Sequence, residues 1–355
     1  MATWRRFLAA GLLLAAVLGG HAVAPVPAWA QEEGNVPGAP LGNQSDAEFW
    51  RALRQGDPGS VSAPNPAGGV LIQSEGENWR AVRNGPLSRY GVWGLIGIVA
   101  LLALFFALRG RIRLEHGRSG ETVTRFNAVE RFTHWLTAVC FVVLALTGLN
   151  LLYGRYVLKP LIGPDAFAAL TIGGKYAHNY LAFGFMLGLV LMIVLWVAQN
   201  LPNRHDLVWL AKGGGMFTRG RHPPAQKFNA GQKILFWLVI LGGISVSLSG
   251  LMLMFPLQYE AFGPTFGWIN WAFGTELPTT LGAIQEMQLA QLWHAIMGLF
   301  LTILIIAHIY LGTIGMEGAF DAMGSGEVDR NWAREHHALW AERLEQRGQP
   351  AAGDD

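Results

Sequence analysis

The chain has a single cysteine, Cys140, among its 355 residues. One cysteine excludes an internal disulfide, a CxxCH haem attachment and a cysteine-ligated iron–sulfur cluster in this polypeptide. Charge is scarce as well: Asp, Glu, Lys and Arg make up 14% of the residues, against about 25% in ordinary soluble domains. A net charge of only +2 implies no nucleic-acid partner. Neither an internal repeat nor a coiled-coil heptad pattern is visible. What is abundant is apolar: 52% hydrophobic residues, 14 Trp and 45 Gly. Interfacial Trp and close-packing Gly are both common in lipid-embedded helices.

Residues 1–30 read as a secretory signal peptide. Arg5 and Arg6 form the basic start, Phe7 to Gly19 the apolar stretch, and Ala28-Trp29-Ala30 a cleavage site. A retained anchor is the alternative, but an apolar run near 13 residues falls short of the ~20 that a span needs. Residues 31–88 form an exported N-terminal arm rich in Gly, Pro, Asn and Gln, with a small apolar patch at residues 69–73 and Trp79. Such composition buries too little apolar surface for a large domain. A docking arm for a partner subunit is the sharper reading of the same residues.

Five apolar runs follow, near 90–108, 133–153, 177–198, 232–254 and 289–313, each long enough to cross hydrocarbon. Arg109, Arg111, Arg113, Arg118 and Arg125 lie between the first two, and Arg204, Lys212, Arg219, Arg221 and Lys227 between the third and fourth. The stretch 255–288 has no Lys or Arg. The positive-inside rule puts the two basic loops in the cytoplasm. A cleaved signal and five spans give the same answer independently: N-terminus exported, C-terminal tail cytoplasmic. The tail, 316–355, is charged and expected to be partly helical, with solvated-surface roles as the default and a contact with a partner subunit's membrane anchor as the alternative.

Ten histidines are present, and four stand within or at the edges of the last four runs: His134, His178, His294 and His308. Ionisable side chains at membrane depth are costly and usually functional. His134 opens span two on the cytoplasmic side, and His178 and His294 open spans three and five on the exported side. His308 lies fourteen positions beyond His294, nearly four turns, so both rings leave the helix on about one face, roughly 21 Å apart along the axis. The expected pairs are His134 with His308 and His178 with His294. Facing imidazoles are what a six-coordinate b-type haem requires, so two haem b groups are expected, one towards each surface. Zinc normally wants three or four protein ligands. A proton relay would call for carboxylates as well, and spans two to five as bounded above contain none; a haem-free transporter or scaffold with intramembrane histidines is the alternative from another class. Gly148, Gly184, Gly188, Gly250 and Gly298 give room to a flat macrocycle or to ordinary close helix packing. Arg131 and Lys175 suit haem propionates or interfacial snorkelling.

Residues 122–345 resemble the cytochrome b (gamma) subunit of respiratory, membrane-bound formate dehydrogenase. The resemblance rests on residues 125–135 (RFNAVERFTHW), Lys175 to His178, 200–206 (NLPNRHD), 227–233 (KFNAGQK), His294 with His308, 326–332 (GEVDRNW) and 336–340 (HHALW). The histidine spacing also fits nickel–iron hydrogenase partners and cytochromes of other periplasmic dehydrogenases or reductases. The Asn-Ala-Gly-Gln-Lys element and the double-His tail favour the formate dehydrogenase branch. The resemblance implies an all-α membrane protein: a four-helix haem-binding transmembrane bundle over 122–315, with 89–109 as one extra N-terminal helix. It carries over the four histidines as haem axial ligands in the pairs above. It places a quinone site at Asn229, Ala230, Gly231 and Gln232, where side-chain amides can donate to a quinone carbonyl. It implies an iron–sulfur beta subunit and a molybdenum- or tungsten-containing alpha subunit as partners, with formate chemistry on another chain, the lipid membrane around it and the quinone pool as acceptor. From the residues alone, Asn229 and Gln232 also read as the capping box of a helix.

Overall fold

A computed structural model describes residues 76–215, 223–346 and 348. The expected signal peptide and the arm as far as residue 75 lie outside the described residues. Within those described, two compact units are present: residues 91–247 with 297–348, and residues 76–90 with 248–296.

Helix dominates. Among the described residues, five helices are long and apolar enough to cross a membrane. These are α1 (Gly76–Arg109), α2 (Ala128–Val157), α3 (Pro164–Trp196), α5 (Ala230–Met254) and α7 (Ala283–Tyr310), with a short α4 (Arg204–Ala211) before α5 and α6 (Phe262–Phe273) before α7. The tail adds α8 (Arg330–His336) and α9 (Ala338–Gln346). Among the described residues, strands are limited to β1 (Thr122–Thr124) and β2 (Glu327–Asp329), an antiparallel pair with Val123 opposite Val328. The all-α reading therefore stands, with one small ladder that no alternation in the sequence announced.

Helix ends differ from the apolar runs, and the reasons are local. α1 starts at Gly76 rather than near 89, so residues 76–88, assigned above to the arm, are helical; Pro86 is accommodated in a π turn at Arg83–Leu87. α3 starts at Pro164, where proline suits the first helical position and Gly163 takes φ 81°. His178 thus lies inside α3 rather than at its opening. α2 and α7 likewise begin before their apolar runs and carry Glu130 and Glu286 in their first turns.

In the larger unit, small residues let the spans meet. A Cβ at Gly188 would collide with Thr137 Oγ1, and one at Gly184 would stand 2.8 Å from Cys140 Sγ. These contacts seat α3 on α2. Gly243 approaches Leu189, Gly242 approaches Leu301, and Gly91 approaches Leu299, which brings α5 and α1 to their neighbours by the same device. Leu, Val and Ile exposed along the spans, such as Leu104, Leu146 and Val190, are the lipid-facing surface of such a bundle.

The tail is not a solvated appendage, contrary to the expectation above. It closes over the loop before α2 and the segment before α5. Asp329 accepts from the Ser119 and Gly120 backbone and caps α8 through Asn331 N at 2.8 Å. Glu335 accepts from the Glu115 and His116 amides. Arg125, 3% exposed, lies against the rings of Phe126, Trp332 and Trp340 at 5.0–5.3 Å and donates to the Lys227 carbonyl. Burial pulls its guanidinium down to about 9, with Glu130 opposing, so it stays charged at neutral pH. His337, 1% exposed, meets the Gln226 carbonyl through Nδ1 at 2.6 Å. The tail reads as polar along the sequence because its apolar partners lie far away in the chain.

His337 yields a pH prediction. Burial, then the nearby Arg125 charge, holds its imidazole well below the ordinary histidine value of 6.5, against the Gln226 bond. A histidine depressed in the folded state stabilises the fold above its unfolded value and withdraws that support as the pH falls. The tail is expected to become protease-sensitive as the pH falls below about 6.5, while a His337→Gln variant loses much of that pH dependence. Limited proteolysis across a pH series checks it.

Candidate functional site

His134 sits in the second turn of α2, beyond Asn127, whose side chain and Glu130 form a reciprocal capping box. Glu130 is further bound by Lys227 Nζ at 2.8 Å and Trp196 Nε1 at 3.0 Å. Trp135 donates to the Met323 carbonyl at 2.8 Å. The start of α2 is therefore pinned on both sides of the histidine.

His308 stands near the end of α7, and its ring centroid lies 6.2 Å from that of His134 at an interplanar angle of 61°. Two imidazole nitrogens on one metal, each at about 2 Å, set ring centroids about 6 Å apart once half of each ring is added. The observed pair matches that spacing. His134 Nδ1 is buried with no hydrogen-bond partner among the described residues, so a ring nitrogen of this pair remains for a ligand to satisfy. Among the described residues, no group of three or more His, Cys, Asp or Glu side chains is placed to hold a metal ion. A facing imidazole pair suits a planar macrocycle that supplies its own four nitrogens; it does not suit a tetrahedral ion.

His178 and His294 belong to different units, and each has the same local surroundings. In the larger unit, His178 Nδ1 lies 2.8 Å from Thr147 Oγ1, and a Cβ at Gly148 would stand 3.6 Å from His178 Cε1. In the smaller unit, His294 Nδ1 lies 3.1 Å from Ser249 Oγ, and a Cβ at Gly250 would stand 3.1 Å from His294 Cε1. Each ring thus rests on a hydroxyl–glycine dipeptide of a neighbouring helix. Thr147 Oγ1 donates to the Val143 carbonyl at 2.7 Å, so its oxygen is left to accept from His178 Nδ1–H. That fixes the tautomer with the lone pair on Nε2, the arrangement in which a ligating histidine is oriented by its other nitrogen. The reading of the sequence named Gly148 and Gly250 but missed the hydroxyls beside them. The repeated hydroxyl–glycine pair was the available signal.

Replacing Thr147 by Val keeps the side-chain shape and deletes the hydroxyl acceptor, leaving the Leu144 carbonyl as the other partner of the ring. Loss of such an orienting partner typically weakens metal holding about 10–100-fold. The variant is expected to shed haem on detergent washing while keeping its helix content, read from the b-type absorbance per chain and from circular dichroism. Wild-type retention would show that Thr147 does not orient the ring.

At the start of α5, the side chains of Asn229 and Gln232 do form a capping box, Gln232 N to Asn229 Oδ1 at 2.9 Å and Asn229 N to Gln232 Oε1 at 3.1 Å. Both oxygens are used, so what either residue could offer a ligand is its amide N–H. Ala230 is buried and has no side-chain face to present. Gly231 has a packing reason of its own: a Cβ there would stand 2.8 Å from the Trp209 ring of α4. Lys233 Nζ, buried, reaches Asp206 Oδ2 at 2.8 Å and locks α4 to α5. Arg131 donates to the Gly324 carbonyl at 2.6 Å, so its guanidinium holds the tail; Lys175 is exposed on α3.

Comparison with known proteins follows the same residues. The prokaryotic cytochrome b561 family matches over residues 125–326, more than half of the chain. The formate dehydrogenase cytochrome b556(fdo) subunit of Escherichia coli is 26% identical over 221 residues, 62% of this chain and 92% of that protein. The nitrate-inducible formate dehydrogenase cytochrome b556(Fdn) subunit of the same organism is 24% identical over 227 residues, 63% and 92% of the two chains. The formate dehydrogenase cytochrome b556 subunit of Haemophilus influenzae is 24% identical over 222 residues, 61% and 82%. With a facing histidine pair between long apolar helices and a family match over its core, the chain belongs to the prokaryotic cytochrome b561 family, multi-pass membrane proteins of the haem b class.

Proposed function

We propose that this chain is the membrane-anchoring diheme cytochrome b subunit of a formate dehydrogenase, passing electrons from an exported iron–sulfur subunit to quinone at the cytoplasmic side. The observation that carries the reading is the His134–His308 pair at 6.2 Å, on helices within the cytochrome b561 family match at residues 125–326, together with the formate dehydrogenase relatives. His134 and His308 would hold the inner group, and His178 and His294, fourteen positions back along α7 from His308, the outer one. Haem b, when bound, supplies reversible one-electron transfer without protons of its own. Thr147 and Ser249 orient the outer imidazoles. The amide N–H groups of Asn229 and Gln232 are the proposed donors to a quinone carbonyl, with Gly231 allowing a close backbone and protons drawn from the cytoplasm.

Oxidation on the exported side and proton uptake on the cytoplasmic side would build a proton-motive force. The basic loops support that orientation in the bacterial inner membrane, with the N-terminus exported and the C-terminus inside. Partners are an iron–sulfur beta subunit and a molybdenum- or tungsten-containing alpha subunit; formate is oxidised on the latter.

The test is a reduced-minus-oxidised spectrum of membranes carrying the complex, recorded with formate as the only reductant. Reduction of b-type bands is the expected result. Reduction by hydrogen and not formate would move the chain to a nickel–iron hydrogenase or another dehydrogenase. A purified, fully loaded preparation without b-type bands would defeat the cytochrome reading in favour of a haem-free transporter.

A further inference from the structure

We propose that α6 is an interfacial helix: it lies in the surface of the lipid bilayer beside α5 and α7 and anchors their connection there. The occupant of its exposed face is lipid, at the boundary of headgroups and acyl chains on the side proposed above as exported.

The helix has 12 residues, too few to cross hydrocarbon. Pro264, Trp268, Trp271 and Ala272 recur at helical spacing and are all exposed, with Phe273 next to them. Trp271 is 80% exposed and Phe273 78%, and the two indoles meet edge to face at 5.8 Å. Gly263, on the opposite side, is buried. An amphipathic helix with an aromatic stripe and no solvent-facing charge on that stripe is built to lie at a membrane surface, where Trp is the preferred anchor.

Its depth is set by the fold. Glu286, 2% exposed, stands in the first turn of α7 and accepts from the Ala261, Phe262 and Gly263 amides at 3.1, 2.8 and 2.7 Å. This buried carboxylate ties the N-terminus of α6 to the level at which a membrane-crossing helix begins. At the other end Asn270 holds the return loop, donating to the Leu277 carbonyl and accepting from Leu277 N, both at 2.8 Å. The helix is thus held at both ends with its stripe unpaired. The segment 255–288 has no Lys or Arg, so the attraction is apolar insertion and needs no anionic headgroup.

The test uses the full chain, loaded with haem, in vesicles of phosphatidylethanolamine and phosphatidylglycerol, with Cys140→Ala as background. Spin labels at Trp268→Cys and Trp271→Cys are expected to collide several-fold more with oxygen than with a water-soluble nickel chelate. A label at Glu276→Cys, beyond the helix, should show the reverse. Free access of the chelate to positions 268 and 271 would overturn the proposal. So would shielding from both agents that appears only in the assembled complex, which would make the stripe a docking surface for protein. The haem bands of the same sample report separately on the functional reading, so a loaded preparation with wet labels sinks this proposal alone.

Discussion

Replacing His308 by alanine is expected to lower haem b per chain by about half and to abolish quinone reduction, while formate oxidation with an artificial acceptor continues in the assembled complex. The ring of His308 faces His134 at 6.2 Å, and no other described histidine is paired with His134 in this way. A single remaining imidazole cannot complete a six-coordinate iron. His134→Ala should give the same spectrum, and the double variant should be no worse, because two residues that act as one unit are not additive. Pyridine haemochrome analysis counts the haem and a menaquinone or ubiquinone analogue tests the acceptor end. Retention of both haems by either single variant would end the proposed pairing.

Arg125→Ala is expected to release the tail. The guanidinium contacts three aromatic rings and one carbonyl while almost wholly buried. Buried cation–π contacts are each worth about 2 kcal/mol and a charged hydrogen bond about 1.5–3 kcal/mol. Because these are not additive, a total loss of about 3 kcal/mol is the scale expected for breaking such a buried network. Arg125→Lys keeps the charge without the flat, forked group that stacks between rings, and should recover only part. Thermal unfolding of solubilised protein gives the magnitude, and protease cutting between residues 316 and 346 shows whether the tail is what comes loose. Unchanged melting in the alanine variant would mean that the aromatic box does not depend on its cation.

The spans and the position of the four histidines on them were legible because each is an anomaly against its surroundings. A run of twenty apolar residues has few alternatives to a membrane helix, and an imidazole inside one is costly enough to need a reason. The capping box at Asn229 and Gln232 was legible too, since three-residue spacing makes it a local event. Helix starts were not: Pro164 to Lys175 is mixed in polarity, and only the geometry at Gly163 and Pro164 settles where α3 begins. Nor was the tail. Arg125 meets Trp340, and Thr122 pairs with Asp329, across some two hundred intervening positions, and no window of sequence registers such partners. Thr147 and Ser249 were passed over because a hydroxyl in an apolar helix ordinarily bonds its own backbone. Thr147 does so as well as meeting His178.

The closure of the tail over earlier loops has a consequence for biosynthesis. Its strand, its aromatic pair and His337 engage residues made long before it, so these contacts form only after the five described crossings have been synthesised. Contacts so distant along the chain are slow to find each other, and chains are built and folded from the N-terminus onward. Spans already inserted must therefore wait, uncapped at that end, for this later segment to emerge. A released chain truncated at residue 326 would keep every described membrane crossing and lack β2, α8 and α9, the parts that make the cap.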